Sequence, residues 1–255
     1  MKIKEIDRTA HIAWSPAVQH PIYLAAGTAA QQLDASFSTT ANLELYSLDL
    51  SEPGLMMSLK ASIPTKQRFH KLVWGSHGIS SGALPSGVLV GGEDQGHIMM
   101  FDAAKLLDGD SSPGFLISET RKHTGPVKAL DFNPSQLNLL ASGATDSEIY
   151  IWDLNSTSPT PMTPGSTSQP PDEVTCLAWN QKVQHILAST FSTRCVVWDL
   201  RKNEPIIKVC TLILFSELTI INYLLISTDQ RQHIALQICS LASRAAYSTL
   251  FGVRG

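Results

Sequence analysis

The sequence is short of charge, and the charge it has is balanced. Charged residues make up 16% of the 255, and 19 basic against 22 acidic side chains leave a formal net charge of −3. No basic stretch stands out, which argues against a nucleic-acid binder with a cationic face for phosphates. Cysteine is scarce: Cys176, Cys195, Cys210 and Cys239 are widely spaced, with no C-x-x-C. That pattern excludes a disulfide scaffold and a zinc module, and suits small buried hydrophobes in a reducing compartment. The 16 glycines and 14 prolines are ordinary usage, so the chain is neither collagen-like nor a linker. Residues Met1 to Trp14 scatter their charges and contain no apolar core segment, so no signal peptide is expected.

Catalytic signatures are missing as well. There is no phosphate-binding loop, no dinucleotide fingerprint and no H-E-x-x-H. Gly78-Ile79-Ser80-Ser81-Gly82 matches the G-x-S-x-G nucleophile elbow in letters only. An elbow needs a helix after the serine, and Pro85 and Gly87 follow within a few residues, so a loop is expected. The histidines, among them His70, His77 and His97, show no metal-ligand spacing. Asn155-Ser156-Thr157 is a glycosylation sequon, but it acts only in a secretory lumen. The reading is of a non-enzyme with no catalytic residue, metal or cofactor.

What is present is a repeated unit. Its clearest copy opens at His123-Thr124-Gly125, runs through Val127 to Phe132, and turns at Asn133-Pro134. It continues with Leu139-Leu140-Ala141-Ser142-Gly143, turns again, and closes at Ile149-Tyr150-Ile151-Trp152-Asp153-Leu154. A second copy runs from Val174 to Leu200, its closing Trp198 following Trp152 by 46 residues. Two looser copies lie upstream, around Trp74 with Phe101-Asp102, and around Trp14 with Tyr46. Each unit offers three strands and a weaker fourth, for which Met56 to Ala61 and Phe115 to Glu119 are candidates. After Trp152 the slot is crowded with prolines, which confine any strand there to a short edge. Four antiparallel strands per unit, arrayed radially, predict an all-β propeller of about four blades over 1–209.

One constellation carries physics. His123, Ser142, Asp146 and Trp152 stand at the offsets of the hydrogen-bonded tetrad of WD repeats. The indole donates to the hydroxyl, the hydroxyl to the imidazole, and the imidazole to the carboxylate, so each buried polar group finds a partner. In the next unit Ser189 and Trp198 recur, but Ser192 stands where the Asp is expected.

These units resemble WD repeats, and a larger set of runs is more specific. They include Lys4 to Ala10 leading to Trp14-Ser15-Pro16, Arg68-Phe69-His70-Lys71-Leu72-Val73-Trp74-Gly75, Ser147 to Asn155, and Trp198 to Val209. Together they resemble the N-terminal propeller of the large outer-coat subunit of COPII vesicles, the Sec thirty-one family. The resemblance implies a structural coat component in endoplasmic reticulum to Golgi transport. It implies a cytoplasmic location, peripheral to the membrane at exit sites. Its implied partners are other COPII coat proteins: a small propeller of the Sec thirteen type and the inner-coat subunits.

The resemblance stops after Val209. Residues 210–255 form an atypical hydrophobic tail, expected to lie outside the family fold and to make this a truncated form. Glu217 and Asn222 interrupt its apolar run and tell against a membrane span. An arc of four blades is expected to expose the apolar flank of unit four, including Cys195, Val196 and Val197, and to be marginally stable. Two further surfaces suggest themselves. Trp198-Asp199-Leu200-Arg201 matches the W-D-x-R pattern with which ubiquitin-ligase substrate receptors dock an adaptor, an alternative function resting on Trp198, Asp199 and Arg201. Ser158, Thr160 and Thr163 each precede a proline in a loop at 155–171, a pattern that suits proline-directed phosphorylation.

Overall fold

A computed structural model describes residues 4–30, 40–108, 114–156, 161–165 and 170–210. Fifteen strands fall into four antiparallel sheets in chain order. The first blade is β1 (Ala10–Trp14), β2 (Tyr23–Thr28), β3 (Ala41–Ser47) and β4 (Ser58–Thr65). The second is β5 (Phe69–Gly75), β6 (Val88–Glu93), β7 (His97–Asp102) and β8 (Leu116–Arg121). The third has three strands, β9 (Ala129–Phe132), β10 (Leu139–Gly143) and β11 (Ile149–Asp153). The fourth is β12 (Val174–Trp179), β13 (Ile186–Phe191), β14 (Arg194–Asp199) and β15 (Glu204–Cys210). Within each blade successive strands pair as meanders, and the first strands of the blades lie side by side in the order β1, β5, β9, β12. This is a propeller arc.

The sequence pattern follows from the position of each strand. β6 and β13 are buried at every residue and, apart from Glu93 at the end of β6, carry only apolar and small side chains. Outer strands have one wet face, and β8 alternates half-buried and exposed residues along its length. The apolar core is accordingly divided among the blade boundaries. Ala25, Leu43, Phe69 and Leu72 pack between the first two blades, Val90, Ile98, Val127 and Leu140 between the second and third, and Ile151, Leu177, Trp179 and Val196 between the third and fourth.

The fourth strands differ most from expectation. β4 and β8 lie a little later in the chain than the runs Met56–Ala61 and Phe115–Glu119. In the third blade the proline-rich slot supplies a single bridge, Met162 exchanging both backbone hydrogen bonds with Ile151 at 2.8 and 3.0 Å. In the fourth blade β15 fills a slot for which the repeat offered no candidate. Pro205 sits opposite Trp198, beside a register shift that absorbs its missing donor. The predicted exposure of Cys195, Val196 and Val197 is wrong: they are 4%, 0% and 4% exposed, Val196 facing the third blade and Cys195 and Val197 packing with Ile186 and Ala188, and with Ile207 and Val209 of β15. The tail after Cys210 lies outside the described residues.

The closing aspartates of the second, third and fourth units have a local job. Asp102 accepts from the backbone of Ala104 and Lys105 and caps the short helix α1 (Ala103–Leu107). Asp153 and Asp199 do the same for the turns after β11 and β14, accepting from Asn155 N and Arg201 N at 3.0 Å each.

Candidate functional site

The buried network of the third blade is built from β10, β11 and the segment before β9. Trp152 Nε1 donates to Ser142 Oγ at 2.7 Å, across the Leu140–Trp152 and Ser142–Tyr150 register of β10 and β11. His123 Nε2 meets the same oxygen at 2.7 Å. The Glu148 carboxylate on the other ring nitrogen only accepts, so the neutral imidazole carries its proton on Nδ1 and Nε2 accepts the Ser142 hydroxyl proton. Nδ1 meets Glu148 Oε2 at 3.1 Å, and that oxygen also accepts from Thr124 N at 2.9 Å. Burial pulls the His123 imidazole down to about 4 despite the opposing pull of Glu148, so the ring is neutral at pH 7.

The expected tetrad therefore has one substituted member. Asp146 does not reach His123; Glu148 holds that place. The reason lies in the β10–β11 turn, where Asp146 (φ 56°) and Ser147 (φ 60°) both take the left-handed conformation. Asp tolerates that region well, so Asp146 serves the turn, and the chain re-enters β11 with Glu148 beside the imidazole. In the fourth blade Trp198 Nε1 donates to Ser189 Oγ at 2.9 Å, and the hydroxyl turns to Val196 O at 3.3 Å. No histidine or carboxylate extends that pair among the described residues. A His–Ser–carboxylate set invites a hydrolase reading, but Ser142 is fully buried and its oxygen already accepts from an indole.

The remaining predicted residues separate by exposure. Trp198 is 1% and Asp199 5% exposed, both held inside the blade. The Arg201 side chain is 65% exposed but folds back on Asp199, Nη2 to Oδ2 at 3.2 Å, which holds that carboxyl below its usual range. The fold thus occupies two of the three W-D-x-R side chains. Thr163 is exposed; Ser158 and Thr160 lie outside the described residues. Gly78 to Gly82 is a turn in which Ser81 Oγ donates to Gly78 O, as a loop and not an elbow requires. Among the described residues no cluster of three His, Cys, Asp or Glu could hold a metal, and no helix is long and apolar enough to cross a membrane.

Polar contacts also tie the third blade to the fourth. Asp131 Oδ2 accepts from Trp179 N at 2.7 Å, and Asp131 O accepts from the Trp179 indole at 3.1 Å. Asn133 Nδ2 donates to Gln184 O at 2.7 Å. Asn133 and Asn180 make matching turns, each side-chain oxygen accepting from the two amides two and three residues on.

This geometry is a scaffold, and comparison with known proteins says which one. Over 210 residues, 82% of the chain, it is 59% identical to protein transport protein Sec31A of Gallus gallus. The chain belongs to the Sec31 family. It is 58% identical over the same length to Sec31A of Homo sapiens and 41% identical over 217 residues to SEC31 of Dictyostelium discoideum. The chain spans about a sixth of these relatives, 17% of the chicken protein. The WD domain, G-beta repeat model matches residues 114–153. That stretch contains β8 together with β9, β10 and β11, so the sequence repeat of this Sec31 segment is offset by one strand from its blades. Among solved structures, a chain of the COPII outer coat vertex on membranes matches with a TM-score of 0.63 and 32% identity. The match covers 79% of this chain and 50% of that one. A chain of the COPII coat assembled on membranes matches equally, with 28% of it covered.

Proposed function

We propose that this Sec31-family arc is a non-enzymatic structural component of the COPII outer coat in endoplasmic reticulum to Golgi transport. The observation that carries the reading is the 59% identity to Sec31A over 210 residues, 82% of the chain. The chemistry agrees with it: the buried polar groups of the third blade satisfy one another, and the blades present rigid edges and faces. The chain works in the cytoplasm at exit sites, held to the membrane through other coat proteins. Its partners there are a small propeller of the Sec thirteen type and the inner-coat subunits. Phosphorylation of the exposed Thr163, beside the edge bridge at Met162, adds negative charge to that rim and regulates docking.

Proximity labelling with the tagged full chain tests the proposal. Coat subunits are expected among the labelled proteins, with the chain concentrated at exit sites. A diffuse distribution without coat subunits overturns it, as does recovery of a ligase adaptor that is lost on Arg201→Ala. Phosphopeptide mapping that finds Thr163 always unmodified ends the regulatory part alone.

A further inference from the structure

Between the outer strands of the first two blades lies a pocket of about 180 Å³. Its walls are apolar: Ile63 on one side, Met99 and the stacked rings of Phe101 and Phe115 on the other. Glu93 lines it from the end of β6 and is 3% exposed. No hydrogen bond reaches its carboxylate among the described residues. Gln67 Oε1, also in the lining, is buried without a partner.

The fold does not require a carboxylate here. Glu93 O accepts from Val127 N at 3.1 Å, and in the next blade Ala144 O accepts from Val174 N at 3.0 Å. The two residues occupy the same place in successive blades, and the second is a buried alanine. A buried acid without a partner is costly, and the repeat shows the position works with a methyl group. The surrounding charges sharpen the deficit. Glu119 and Asp94 stand near Glu93, and each is engaged with a histidine: His97 Nδ1 to Glu119 at 3.0 Å, His70 Nε2 to Asp94 at 2.6 Å. Exposed Lys66, at the rim, is the one full positive charge in the lining.

We infer that this pocket is a docking site for a lysine side chain carried on an extended segment of a partner protein. The volume corresponds to about six waters at ~30 Å³ each, room for one long side chain. A lysine stem lies along Met99, Phe101 and Phe115, and its ammonium has three donors to offer the Glu93 carboxylate and Gln67 Oε1. Burial and the neighbouring acids raise the Glu93 carboxyl to about 7, so below that pH an arriving ammonium competes with a proton for the carboxylate.

Nuclear magnetic resonance on the full chain with ¹³C-methyl methionine tests this, because Met99 is in the wall. The probe is N-acetyl-lysine methylamide, with the norleucine analogue as control. A saturable shift of the Met99 methyl is expected with the lysine probe only, stronger at pH 8 than at pH 5.5. Glu93→Gln is expected to weaken binding at least about tenfold, the scale of one hydrogen bond to a charged group. Glu93→Gln removes an unpaired charge and keeps the fold, which unchanged shifts of the other methionines verify. Equal shifts from both probes, no saturable shift, or full binding by Glu93→Gln overturns the inference.

Discussion

Ser142 is the residue on which the third blade's polar network turns. Its oxygen joins an indole and an imidazole, so Ser142→Ala leaves two buried groups unpaired at about 1–3 kcal/mol each. Urea denaturation is expected to show that loss. Glu148→Gln is expected to destabilise clearly more than Asp146→Asn, which keeps a residue tolerant of positive φ in the turn. Equal losses would mean that Glu148 contributes no more than a surface carboxylate. Three of the four members were legible because their spacing is set by the strand register. The fourth was not, because a carboxylate two residues along the same turn serves equally, and only the backbone conformation at Asp146 and Ser147 decides between them. Glu93 was invisible for a different reason: a run such as Gly91-Gly92-Glu93-Asp94 reads as a solvated turn until the neighbouring blade is seen to bury it. These two buried groups respond to pH in opposite directions. The His123 pKa is lowered to about 4 from 6.5, so its share of stability is present above pH 6.5 and lost as pH falls through 4. The Glu93 pKa is raised to about 7 from 4.5, so its share is present below pH 4.5 and lost as pH rises through 7. Glu93→Gln is therefore expected to raise the melting temperature at pH 8 by a few degrees and to leave it unchanged at pH 4.

Between elements, Phe69 is a tight fit. Its fully buried ring is held between Gly27 of β2 and Gly91 of β6. A Cβ at Gly27 would lie 2.4 Å from the ring, and one at Gly91 2.3 Å from it, far inside contact distance. Gly91→Ala is expected to destabilise by about 1–3 kcal/mol, the usual cost of overpacking. Adding Phe69→Leu to that variant is expected to recover part of the loss; a simple sum of the two single effects in urea melts would show that the ring is free to move. Strand order was legible from alternation and closing aromatics, since both report burial. The outer strands were not. β15 carries Pro205 and half-buried residues, and its pairing depends on a register shift that no local pattern announces. The mistaken exposure of Cys195 and Val197 follows in part from that omission, since Ile207 and Val209 of β15 pack beside them.

At the scale of the whole arc, the first strand of the first blade carries an exposed apolar patch. Ala13 faces the second blade and is buried, whereas Ile12 and Trp14, on the opposite face of β1, are 55% and 51% exposed. Leu24 and Tyr46, beside Trp14 in the sheet, are buried with Met57 and Ile6, so the exposed patch is confined to β1. A patch of this kind draws molecules together. Ile12→Thr with Trp14→Lys is expected to lower self-association in analytical ultracentrifugation while leaving the far-ultraviolet dichroism unchanged. Equal association by the variant would place the sticky surface elsewhere.

The division of the apolar core among blade boundaries bears on how the molecule comes apart. Among the described residues the main contacts of each blade are with its neighbours, so the free energy of the arc is close to a sum of adjacent couplings, as in a linear array of repeats. Melting then has no single all-or-none step. Backbone amides in β6 and β10, flanked by blades on both sides, are expected to exchange with deuterium most slowly, and those of β1 fastest. A calorimetric enthalpy larger than the van't Hoff value is the matching signature. The same looseness of coupling lets one blade open while the next one holds.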